Sequence, residues 1–287
     1  MNQTRGTNKA LRMINKQLKS TRLSALAVIL VTLCSIGSAN AQTIKRGDIA
    51  PFEVVYSVGN NLITAGNATL SLKQEDAHWV YSLSTRPSGV FKLTGKGKIS
   101  EVSTLNLVDL DDGVQLRSLD YRYRQDNERR RSVDAAFDWD ARSLTFQKRG
   151  EEKTETFDNP VLDRLSVTLY VMNALRNGFD RLELQVFDNG EIKTVEFINE
   201  GTELLKTRLG EIETIKVMNR KVGGSSRSTT TWFAPSLDYI PAKIEQVKRD
   251  ELVARLSLTK LDNRVTTVEL PGTEKEIPEV VDDKNSK

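Results

Sequence analysis

From Pro51 onward, hydrophobic and polar side chains alternate with a period of two. Phe52, Val54, Tyr56 and Val58 fall on one side and Glu53 and Ser57 on the other, the pattern of a half-buried strand. Phe91, Leu93, Gly95, Gly97 and Ile99 alternate with Lys92, Thr94, Lys96 and Lys98. The same holds for Leu119, Tyr121 and Tyr123 against Asp120, Arg122 and Arg124, and for Val133, Ala135 and Phe137 against Asp134 and Asp138. One apolar face and one wet face predict an antiparallel sheet. Turn residues punctuate these runs at Gly59-Asn60-Asn61, Ala65-Gly66-Asn67, Gln74-Glu75-Asp76, Asp111-Asp112-Gly113, Gln125-Asp126-Asn127, Asp138 to Arg142, Lys148-Arg149-Gly150, Asp188-Asn189-Gly190 and Asp262-Asn263. Asn189-Gly190 between two strand-like runs is a hairpin signal, because both residues tolerate positive φ. The spacing predicts a mainly β chain of about a dozen strands, more than a flat open sheet holds comfortably. A strongly curved antiparallel sheet, half-barrel or barrel follows.

One segment has a different period. After Asp158-Asn159-Pro160, which supplies a cap and a helix-first proline, Leu162, Leu165, Leu169, Met172 and Leu175 recur at three- and four-residue spacing until Gly178. That predicts one helix near residues 160–177, with a single apolar stripe packed on the concave face of the sheet.

The start of the chain belongs to another class. Leu23 to Ile36 form an uncharged apolar run of 14 residues, behind Arg5, Lys9, Arg12, Lys16, Lys19 and Arg22 and ahead of Ala39-Asn40-Ala41. The run is shorter than the ~20 residues that span a bilayer, and A-x-A is a signal-peptidase site. Residues 1–41 are therefore expected to be a signal peptide cleaved after Ala41, translated from Met1 or from Met13, with a periplasmic and not transmembrane product. Leu33 stands where lipidation at Cys34 would need a small residue. Residues 42–50 are expected as a linker, 51–270 as a single β-rich domain, and the polar, proline-punctuated 271–287 as a disordered tail.

Removing the leader changes the charge. The whole chain has 42 Lys+Arg against 39 Asp+Glu and a net charge of +3. All six basic residues of the leader go with it, leaving 36 against 39 and a net of −3. A nucleic-acid partner loses its support. The only cysteine goes too, so disulfides, thiolate nucleophiles and cysteine metal sites are excluded from the mature chain. The sole histidine, His78, has no second His beside it to make a zinc set. Asp109 to Gly113 lacks the later glutamate of a calcium loop. Gly223 to Ser226 matches neither a nucleophile elbow nor a phosphate loop. No catalytic set, metal or cofactor is nominated. An outer-membrane barrel is disfavoured because Lys92, Lys96, Lys98, Arg122 and Arg124 crowd one strand face opposite a face too apolar to line water.

Two candidate sites remain. Arg122 and Arg124, across a hairpin from Arg129, Arg130 and Arg131, could form an anion-attracting surface for phosphate or carboxylate groups. Asp120, Asp126, Glu128 and Asp134 would partly neutralise it. Inside the curve, Tyr121, Tyr123, Leu165, Leu169 and Trp232 outline an apolar interior, either filled core or ligand cavity.

Three segments resemble a family of exported proteins known as domain of unknown function 3108. They are Tyr121 to Leu144, Asp158 to Gly178 and Thr231 to Glu245. The family's strand end appears as Phe137-Asp138-Trp139, and its aspartate before a leucine-serine pair as Asp163 with Leu165-Ser166, with Arg164 where proline is common. Its tryptophan strand appears as Trp232, Pro241 and Lys243. The resemblance implies a periplasmic, mostly antiparallel β-domain with a helix and no established reaction. The last of these segments is also similar to the final strands of lipoprotein-carrier half-barrels, a likeness of fold only.

The expected function is a soluble, non-enzymatic binding or scaffold domain of the cell envelope. Its partner would be an envelope lipid, lipopolysaccharide or a protein. The alternative is a carboxylate-based hydrolase of envelope glycans, which needs a cleft with two carboxylates and a shifted pKa.

Overall fold

A computed structural model of the chain describes residues 43–44, 49–60, 63–89, 97–111, 113–126 and 128–261. The expected signal peptide, the tail at 271–287, the alternating positions Phe91 to Lys96 and the turn at Asp262-Asn263 lie outside the described residues.

Among the described residues sixteen strands join one sheet. They are β1 (Thr43–Ile44), β2 (Phe52–Gly59), β3 (Thr64–Glu75), β4 (His78–Pro87), β5 (Ile99–Leu110), β6 (Gly113–Gln125), β7 (Val133–Asp138), β8 (Ser143–Lys148), β9 (Glu151–Thr156), β10 (Val161–Asp163), β11 (Arg181–Asp188), β12 (Glu191–Thr207), β13 (Gly210–Lys221), β14 (Arg227–Ala234), β15 (Ile240–Lys248) and β16 (Glu251–Leu261). The order is β10-β11-β12-β13-β14-β15-β16-β2-β3-β4-β5-β6-β7-β8-β9, with β1 against β6. The sheet is large, curved and not closed, as the alternation and turn spacing predict. Thr43–Ile44, expected in a linker, pair with Gln115 and Val114, and Ile49 is buried.

Three local expectations are corrected. Ala65-Gly66-Asn67 is not a turn but lies inside β3. A Cβ on Gly66 would collide with the Arg86 carbonyl oxygen of β4, so this glycine permits a close strand approach. Gly97 and Lys98 precede β5 instead of continuing a strand into Ile99. Leu119 leaves the apolar face: Thr104 pairs with Asp120 and Leu105 with Ser118, so Leu119 is the extra residue of a bulge that reverses the alternation of β6. Asn189 and Gly190 both take positive φ and join β11 to β12, as the hairpin signal predicts.

The helix also starts later than its leucine spacing suggests. Val161, Leu162 and Asp163 form β10, fully buried, in parallel register with Gln185, Val186 and Phe187. A strand covered on both faces reads as a short apolar run, which periodicity cannot tell from a helix turn. The helix α1 spans Ser166–Asn177, and Gly178 at φ 73° ends it, as expected. Its expected single stripe is wrong in extent, because Val167, Leu169, Tyr170, Val171, Met172 and Leu175 are all buried. Such a helix is covered on more than one side. Its last turn docks through Arg176, which sits over the Tyr239 ring and 3.3 Å from Asp238 Oδ1.

Candidate functional site

The sheet lacks a backbone ladder between β10 and β6, although the two strands pack together. Side chains replace it. Asp163, with 0% exposure, donates its backbone N–H to Ser118 Oγ at 3.2 Å and accepts the Ser118 hydroxyl at 2.7 Å and the Ser103 hydroxyl at 2.6 Å. Its Oδ1 also accepts the N–H groups of Leu165 and Ser166, both at 2.9 Å, which caps α1. A buried carboxylate with this many donors is a structural pin.

Next to the pin lies a charge clamp. Glu101, buried, is ion-paired with Arg164 and accepts the Tyr121 hydroxyl at 3.3 Å. Arg164 lies 3.8 Å from Asp188 and covers the Tyr123 ring at 5.5 Å. Lys193 holds Asp188 at 2.9 Å and Glu191 at 3.1 Å. Burial alone would lower the pKa of Arg164, but Glu101, Tyr121 and Asp188 outweigh it and raise it. Lys193 is likewise raised, because bonds to Asp188 and Glu191 outweigh its burial. Both cations stay charged.

These groups border a cavity of about 350 Å³ between the sheet and α1. Leu70, Val186, Phe197, Phe233 and Ile244 supply apolar wall, and Val167 and Val171 of α1 complete it. Glu101, Arg164, Asp188, Lys193, Arg220, Lys221 and Arg227 are the charged groups along it. One polar atom inside is unsatisfied: the Tyr81 hydroxyl, on a residue with 0% exposure, has no hydrogen-bond partner among the described residues. Burial, with the Asp163 charge as a second cause, pushes the Tyr81 phenol well above its ordinary pKa, so it remains an O–H donor facing the cavity.

The nominated interior residues are distributed unevenly. Leu165 lines this cavity. Tyr121 packs edge-on to Phe187, and Leu169 is buried in α1. Tyr123 is half-buried beneath Arg164. Trp232 is buried on the other face of β14, where Lys243 covers its ring at 3.5 Å and Glu203 accepts its indole N–H at 2.9 Å. Thr231 and Phe233 on either side of it face the cavity.

The arginine surface is assembled differently from its expected register. Arg122 pairs with Asp134, not with Arg129 or Arg131, and lines a groove with Asp120, Asp134 and Glu152. Arg124 grips both oxygens of Asp134, at 2.6 and 2.7 Å. Arg129–Arg131 form a 3-10 turn in which Arg131 pairs with Glu128 and Arg130 is exposed. Among the described residues no three His, Cys, Asp or Glu side chains converge to hold a metal ion.

Sequence reasoning missed Tyr81, Glu101, Asp188, Lys193 and Arg227 as site residues. Glu101 carried a signal, since it occupies the same strand face as Ser103, Leu105 and Leu107.

A family model described as a protein of unknown function, DUF3108, matches residues 52–255. The chain belongs to that family. The motifs that pointed to DUF3108 each have a structural task. Phe137 packs on Phe187, Asp138 Oδ1 accepts the N–H groups of Asp140 and Ala141, and Trp139 donates its indole N–H to the Ser118 carbonyl at 2.8 Å beside the bulge. Asp163 is the pin, and the Pro241 carbonyl accepts the buried Tyr56 hydroxyl at 2.8 Å. A crystal structure of a beta-barrel-like protein of domain of unknown function DUF1849 from Brucella abortus superposes with a TM-score of 0.49 at 10% identity, covering 76% of this chain and 98% of that one. No curated protein matches the chain.

Proposed function

We propose that this DUF3108 domain is a non-enzymatic binding domain of the bacterial periplasm that takes up an amphiphile: an apolar chain inside the sheet and an anionic head at the charged mouth. The observation that carries the reading is the cavity itself. Its volume of about 350 Å³ falls at the small end of the ~300–1,000 Å³ typical of ligand pockets. Its walls combine apolar side chains with a charged and polar rim, it holds one unsatisfied hydroxyl, and Arg220 and Arg227 lie along it. Tyr81 would donate to a ligand oxygen. An exported compartment fits the apolar leader and the cysteine-free mature chain.

Both acidic side chains along the cavity, Glu101 and Asp188, are engaged by Arg164. Carboxylates held by a permanent cation suit positioning better than the proton transfers of glycan hydrolysis, which favours binding over the hydrolase alternative. The test is native mass spectrometry of protein purified from periplasm, followed by solvent extraction. A co-purifying amphiphile that Tyr81→Phe weakens is expected. A bare polypeptide mass in every preparation would contradict the reading.

A further inference from the structure

The two ends of the sheet carry opposite charge. The antiparallel register places the β8–β9, β13–β14 and β15–β16 turns at one end, together with the Asn189-Gly190 turn. This is the open end, where Arg220, Lys221, Arg227 and Asp188 border the cavity. Its turns present Lys148 and Arg149, Lys221 and Arg227, and Lys248 and Arg249. Asp250 and Glu251 offset one pair, Glu151 faces Lys148 and pairs with Lys153, and Glu191 is taken by Lys193 and Lys221. Among the described residues Arg149, Arg227 and Arg249 form no ion pair. The opposite end, where Arg176 of α1 meets Asp238, presents Glu75 and Asp76, Asp109 and Asp111, and Asp138 and Asp140 at its turns.

Apolar side chains separate the ends further. Ile63, Val222 and Val253, at 52%, 43% and 48% exposure, all belong to the open end. Leu204 and Leu209 are exposed at the other end, where Leu204 pairs with Glu213 and Leu209 lies between Arg208 and Glu211, the latter paired with Lys206. At the open end the apolar tips sit among cations of several turns, whereas at the other end Arg142 and Arg208 stand among acidic turns.

We infer that the open end docks on an anionic lipid surface, with Ile63, Val222 and Val253 entering the headgroup layer and the turn cations meeting lipid phosphates. Basic residues near such a surface each contribute about five-fold in partitioning, and exposed apolar tips add buried area at the headgroup boundary. The inference rests on the binding reading only in what passes through the mouth, since docking would let an amphiphile leave the lipid surface directly for the cavity. Charge complementarity favours lipid over a protein partner here, because the cations are spread over several turns around an opening and not gathered into one pocket.

The test places an environment-sensitive fluorophore at Val222→Cys or at Leu209→Cys in the mature chain from Gln42, which has no other cysteine. Vesicles of phosphatidylglycerol and phosphatidylcholine should shift the Val222 probe to the blue and leave the Leu209 probe unchanged, and pure phosphatidylcholine should shift neither. The double reversal Lys248→Glu with Arg249→Glu, which replaces no cavity-lining residue, should weaken the response on the order of 20-fold. Equal shifts at both ends, indifference to lipid charge, or no shift at all (the result a protein partner would give) would overturn docking. Uptake of free amphiphile by the reversed variant, measured in parallel, separates failure of docking from failure of the cavity reading.

Discussion

The two sides of β11 face different interiors. Phe187 points into a filled compartment, where Tyr121, Phe137 and Phe146 surround it with ring centroids at 6.3, 6.3 and 5.2 Å. Val186 and Asp188, one residue away on either side, line the cavity instead. One strand of period two thus divides packed core from open space. Aromatic rings interlocked at these distances leave little room and add about 0.5–1.5 kcal/mol per pair beyond burial. On the other side Val167, Val171, Val186 and Val195 border open space beside the Arg164 clamp. The buried charge of the clamp, Glu101, is stable there because it has its partner in Arg164.

The contrast is broken most directly by truncation on each side. Phe187→Ala should cost about 3–5 kcal/mol, because the surrounding rings cannot close the hole. Val186→Ala, whose side chain already borders empty space, should cost about 1 kcal/mol. Chemical denaturation of both variants checks the pair, and equal losses would mean that the cavity side is as tightly packed as the core.

Two tyrosines sharpen the comparison at lower energy. Tyr121 bonds Glu101, so Tyr121→Phe should lose about 1 kcal/mol, whereas Tyr81→Phe removes an unsatisfied hydroxyl and should be neutral or slightly stabilising. Burial raises both phenols well above their ordinary pKa, and also Tyr56. Each stays protonated in the folded chain where the unfolded chain has lost its proton. Stability should therefore hold below about pH 10 and fall above it, by up to about 1.4 kcal/mol per pH unit for each tyrosine. Denaturant midpoints across pH 9 to 12 should show that slope, lessened in either Phe variant.

Much of the architecture was legible in the sequence because alternation and turn chemistry are local. The Asn189-Gly190 hairpin and the Gly178 helix stop were readable from a few residues. Features that depend on distant partners were not. Leu162 looks helical until β11 runs beside it, and Gly66 looks like a turn until Arg86 approaches. The arginine cluster from Arg122 to Arg131 looked like the site because its charges adjoin in sequence, yet Arg124 and Arg131 are matched by Asp134 and Glu128. The basic rim was invisible for the opposite reason, since Arg149, Arg227 and Arg249 come from turns far apart in the chain. Asp163 was marked by the family motif, but its role as a seam required Ser103 and Ser118 to arrive from two other strands.

The central claim is that the space beside α1 accepts an apolar chain. It is tested most directly by calorimetric titration with palmitate, comparing the wild-type chain with Val171→Phe, which fills the cavity from the helix. The account predicts saturable binding with one equivalent and a negative heat-capacity change in the wild type, and loss of that binding in Val171→Phe with the fold retained. Palmitate binding of equal strength in the filled variant, or none in the wild type after delipidation, would contradict it.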